Sequence, residues 1–146
     1  MFESIRCWMN NAKFWYAILA CYLCVLGFLS LNPWIRPVST DEIFSPDKLD
    51  HAFAYGGLSI ITFFCLAHSR KEYVRSTGRV WITAMIISTL IGILIEVAQS
   101  LFTYNRTGSV EDAVANAVGA GIGCLSYHLV KYMMNLLAMK STGIEN

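Results

Sequence analysis

The sequence predicts an all-α fold, an integral membrane bundle of four transmembrane helices with both termini cytoplasmic. Three observations predict it. Of 146 residues, 55% are hydrophobic and only 14% are charged, against about 25% charged in soluble domains. Four apolar segments of about 20 residues follow one another along the chain. At ~1.5 Å per residue, each can cross a ~30 Å hydrocarbon core as a helix. Basic residues sort by connection. With the N-terminus inside, Arg6, Lys13, Arg70, Lys71, Arg75, Arg79, Lys131 and Lys140 fall on the cytoplasmic side, and only Arg36, Lys48 and Arg106 fall outside. The net charge of +1 offers no field to recruit nucleic acid, so no nucleic-acid partner is expected.

The first segment, Phe14 to Leu31, follows Arg6 and Lys13 as a signal sequence would. It is longer than a usual signal core, and Asn32-Pro33-Trp34 stands where a small-residue cleavage site would be, so it reads as a retained signal anchor. Cys21 and Cys24 form a C-x-x-C on this segment. Without a βαβ surround they read as buried small hydrophobes, and the five cysteines imply no disulfide framework. The second segment runs from about Leu49 to His68. Ser45-Pro46-Asp47 marks its start with a cap, a proline at the first helical position and an acid in the first turn. The third runs from Val80 to about Phe102. The fourth runs from about Val110 to Val130 and continues toward Met139. Ser109-Val110-Glu111-Asp112 resembles a capping box with Asp at its last position. The short connection Thr103 to Gly108 makes the last two segments a hairpin. The chain thus divides into a cytoplasmic arm, 1–13, a transmembrane domain, 14–139, and a cytoplasmic tail, 140–146.

Seven of the ten acidic residues fall at or near the outer face, where they do little for topology. Asp47 and His51 are four apart on the second helix, a spacing at which a carboxylate can orient an imidazole, and Tyr55 continues the stripe. Glu96 and Gln99 share a face of the third, with Glu96 ~9 Å inside its end. An ionisable group at that depth is costly and should face the bundle interior. Asp112 and Asn116 open the fourth helix. Their stripe runs on through Gly119 and Gly123, beside a second small-residue row of Ala113, Ala117 and Gly121. Such rows let helices approach closely, which predicts a central, tightly packed fourth helix. Arg106, in the hairpin loop, and Lys48 are candidates to bind phosphate or carboxylate. Each pair alone also fits a structural role, as a clasp, a dipole partner or a cap. Together they put polar groups from three helices at one depth and predict one cavity opening outward.

The succession Asp47-Lys48-x-x-His51, Glu96-x-x-Gln99, Arg106, Asp112-x-x-x-Asn116-x-x-Gly119 resembles the VanZ-like family over roughly Ser45 to Leu129. One departure is Leu101-Phe102-Thr103-Tyr104-Asn105, where the family often carries a proline before the arginine. The resemblance implies a small multipass plasma-membrane protein of bacteria. The family's namesake is associated with resistance to the glycopeptide antibiotic teicoplanin. The expected function is a polar outward-facing site that binds or handles a lipid headgroup or cell-envelope precursor. Lys48, Gln99, Arg106, Asp112 and Asn116 are its binding candidates. The alternatives are an enzyme on the same class of molecule, with Glu96 as acid or base and His51 with Asp47 as its partner, or a structural accessory subunit. The expected partner is a membrane lipid or lipid-linked envelope precursor, and oligomerisation is left open. No cofactor is expected. No metal is assigned either, since a set of His51, Asp47 and Asp112 follows no known ligand spacing. There is no serine nucleophile motif, no phosphate loop and no H-E-x-x-H.

Overall fold

A computed structural model describes residues 11–32, 46–69, 77–102 and 109–141. They form four helices: α1 (Ala12–Leu31), α2 (Pro46–Ser69), α3 (Thr77–Phe102) and α4 (Val110–Ser141). The expected segments are all present, and the first three begin slightly earlier than their apolar runs. Polar caps and Pro46 account for this, because they belong to the first helical turn without being apolar. Asn11 caps α1 through its side chain, which accepts from the Lys13 amide. Ser109 caps α4, its Oγ accepting from the Asp112 amide at 3.0 Å. The expected cap at Ser45 lies outside the described residues.

Helices α1, α2 and most of α3 are long and apolar enough to cross a membrane. Helix α4 runs unbroken for 32 residues, ~48 Å, so the continuation expected beyond Val130 is helical to Ser141. Helices α2 and α3 each touch all the others, and α1 meets α2 and α3 but not α4. This corrects the expectation that the fourth helix is central. Only Leu26 and Ser30 are buried on α1, and Cys21 and Cys24 lie exposed on its outer face rather than buried.

The parallel pair α2 and α4 meets through backbone. A Cβ placed on Gly119 would meet the Ala52 carbonyl oxygen and lie 2.6 Å from the Ala52 Cα. A Cβ on Gly123 would run into the Gly56 backbone. Nothing lies within 4 Å of a Cβ on Gly121, so the second small-residue row forms no such seam at that position. The Asp112–Asn116–Gly119–Gly123 stripe is therefore the one that faces α2. On the other side of α4, Val110, Val114, Val118, Ile122, Leu125 and Leu129 form an exposed apolar stripe.

Two clusters fill the interior. Phe63, Val80, Trp81 and Ala84 pack together toward the end of the bundle holding Ser69 and Thr77. Phe63 stacks on Trp81 at 3.9 Å between ring centroids. Leu26, Tyr55 and Leu58 form the other cluster, nearer the end holding Pro46, Phe102 and Val110. Tyr22 of α1 donates to the Ala54 carbonyl of α2 at 2.6 Å, which satisfies a phenol inside an otherwise apolar contact. The polar site borders this second cluster through Tyr55, whose ring lies parallel to that of His51.

Candidate functional site

His51 is the centre of the site, and two physical facts place it there. It lies one turn inside α2, so it can reach the neighbouring helices. The glycine seam also draws α4 close enough for its second turn to face the imidazole. The His51 Nδ1 lies 3.0 Å from Asn116 Oδ1. An amide oxygen only accepts, so Nδ1 carries the proton and donates. The same Nδ1 lies 3.5 Å from Glu96 Oε1 of α3. The other ring nitrogen, Nε2, faces Asp47 Oδ1 at 3.7 Å, one turn back on α2. Three helices thus meet at one ring.

Glu96 is 5% exposed, and neither of its carboxylate oxygens has a hydrogen-bond partner of good geometry. The Asn116 amide and the Ser109 backbone lie near it, and Asp112 is close enough for the two carboxylates to interact. Asn116 is fully buried, and its Nδ2 likewise has no hydrogen-bond partner. Asp47, Lys48 and Asp112 are half-buried and carry the cluster to the surface. The helix N-termini of α2 and α4 point toward this end of the bundle, and their dipoles favour the carboxylates there.

The expected convergence holds for Asp47, His51, Glu96, Asp112 and Asn116. Gln99 is buried on the same face of α3, and its Nε2 donates to the Ser30 carbonyl at 2.8 Å. That bond ties α1 to α3. Lys48 lies close enough to Glu111 for their charges to interact. Arg106 lies outside the described residues.

Three further residues shape the site. Tyr55 is fully buried and lies parallel to the His51 ring, with centroids 6.3 Å apart. The i, i+4 stripe from Asp47 already pointed to it. A Cβ on Gly92 would lie 2.9 Å from Asn116 Nδ2 and 3.0 Å from Tyr55, so this glycine makes room for both. Its sequence signal is a lone glycine four residues before Glu96. Ser109 fixes the first turn of α4, and with it Asp112.

Chemically, the arrangement can hold a proton between imidazole and carboxylates, or receive hydrogen-bond donors and cations from outside. The described side chains around His51 are mostly acidic, so an anion there would need a basic partner such as Lys48.

The protein-family model VanZ/LLP1 matches residues 14–131, which adds the first helix to the resemblance carried by the motifs. No curated protein and no solved structure matches the chain.

Proposed function

The chain belongs to the VanZ/LLP1 family, and from that premise we propose that it is a four-span protein of the bacterial plasma membrane that binds or handles a lipid headgroup or cell-envelope precursor at its His51 site. The observation that carries this reading is the gathering of Asp47, His51, Glu96 and Asn116 from three helices at one end of an apolar bundle. A buried polar cluster is costly in hydrocarbon and marks a functional site by default. Half-buried Asp47, Lys48 and Asp112 give a headgroup a way in, while an acyl tail rests on the exposed apolar flank. Hydroxyl and ammonium groups of a sugar or peptide headgroup suit the carboxylates, and Arg106 with Lys48 suits its phosphate. The balance of Lys and Arg supports an N-in, C-in topology, which turns this end outward. The exposed apolar stripe on α4 supports a fourth, lipid-facing span. Susceptibility to a teicoplanin-type glycopeptide is the cellular outcome this reading connects to.

A second reading, an enzyme acting on the same molecule, is favoured by one observation. The Glu96 oxygens have no hydrogen-bond partner of good geometry and lie against His51, as an acid–base pair would before substrate arrives.

The test is mass spectrometry of lipids that co-purify with the wild type, Arg106→Ala and Glu96→Gln proteins. Arg106→Ala is expected to lose a specific lipid while keeping its thermal stability. Retention of the same lipids by Arg106→Ala contradicts the headgroup reading. A stable Glu96→Gln protein that leaves cellular envelope precursors unchanged contradicts the enzymatic one. A Glu96→Gln protein that loses stability, with function lost only in proportion, favours a structural accessory role.

A further inference from the structure

We infer that Asp47, His51 and Asp112 form a binding site for one divalent first-row transition-metal ion, Zn2+ or Mn2+. Each of the three offers a ligand atom, and these atoms lie within 4.8 Å of one another. The orientation of the imidazole is the second observation. Because Nδ1 donates to the Asn116 oxygen, Nε2 of the neutral ring presents a lone pair. That lone pair faces the Asp47 carboxylate at 3.7 Å, a separation that a shared metal ion would bridge. Metal-ligating histidines commonly donate their other ring N–H to a carbonyl or carboxylate, which fixes the ring and raises its basicity. Asn116 Oδ1 at 3.0 Å and Glu96 Oε1 at 3.5 Å stand in that position.

The third observation is the charge. Glu96 is buried and faces the imidazole, and Asp112 lies close enough for the two carboxylates to interact. Carboxylates this close repel one another, and a metal ion held among them relieves that repulsion. One imidazole with two carboxylate oxygens suits Zn2+ or Mn2+ better than Mg2+ or Ca2+, which take oxygen alone. Three protein ligands leave coordination positions open for a water or a phosphate oxygen. The inference stands apart from the headgroup reading, because the metal alone tests it.

The experiment uses the full-length protein in detergent micelles, stripped with a chelator and titrated with Zn2+, Mn2+ and Mg2+. Binding is read by calorimetry, by the paramagnetic resonance of free Mn2+ and by the rise in unfolding temperature. One equivalent of Zn2+ or Mn2+ is expected to bind saturably and to raise the unfolding temperature, with Mg2+ much weaker. Asp112→Asn and His51→Gln should abolish that binding, and Glu96→Gln should weaken it about 10–100-fold. Asp50→Asn, on the exposed side of the same turn, should leave it unchanged. Helical circular dichroism shows which variants fold, and the unsubstituted protein decides the matter if none does. The proposal is overturned if Zn2+ and Mn2+ show no saturable binding to the unsubstituted protein, or if folded Asp112→Asn binds as tightly as it does.

Discussion

His51 carries the site because each of its ring nitrogens faces a different helix contact, and Asn116 sets which nitrogen holds the proton. Replacing Asn116 with alanine removes that acceptor and leaves the ring without its orienting partner. An interhelical hydrogen bond within a membrane bundle is worth ~0.6–2 kcal/mol, so Asn116→Ala should lower stability by about that much in thermal unfolding in detergent. A cost near zero would mean that the bond does not form. The individual candidates were legible in the sequence because an ionisable or amide side chain inside an apolar run has few uses. Their pairing was not. Gln99 shares a face with Glu96, yet its amide reaches the Ser30 carbonyl of α1. Side-chain spacing along one helix says nothing about which neighbour lies opposite. Gly92 was missed for a related reason, since its importance is the room it leaves for Asn116 and Tyr55.

At the scale of the elements, the register of α4 on α2 decides where the polar groups meet. Gly119 and Gly123 bring the two backbones into contact at Ala52 and Gly56, and this sets Asn116 against His51 one turn away. Overpacking a tight contact costs ~1–3 kcal/mol. Gly119→Ala should therefore destabilise the bundle by about that amount and weaken whatever the site binds. Gly121→Ala meets open space and should be neutral or stabilise by up to ~1 kcal/mol, since alanine is the better helix former. Thermal unfolding of the two variants side by side checks both, and equal effects would contradict the seam. The sequence showed two small-residue rows on this helix and could not rank them. Both rows are permitted by spacing, and only the partner helix selects between them. Helix limits were more legible, because Pro46 and Ser109 act through local backbone chemistry.

At the scale of the whole molecule, the bundle gathers its buried carboxylate, imidazole and carboxamide groups, Glu96, His51, Gln99 and Asn116 among the described residues, toward one end. The helical class followed directly from segment length and hydropathy, since hydrocarbon leaves a single chain few other choices. That α2 and α3 each pack against every other helix was not legible, because packing order depends on contacts between segments. The topology makes its own prediction. A Glu111→Cys protein should react with a membrane-impermeant maleimide in intact cells, while a cysteine at Asn146 should react only after lysis. The reverse pattern would contradict the outward orientation. The central claim is that residues distant in sequence converge on one imidazole. A double-mutant cycle between His51→Ala and Asn116→Ala, read by unfolding free energy in detergent, tests it most directly. Contact predicts a coupling of at least about 0.5 kcal/mol between α2 and α4, whereas effects that add to within about 0.3 kcal/mol would contradict the convergence.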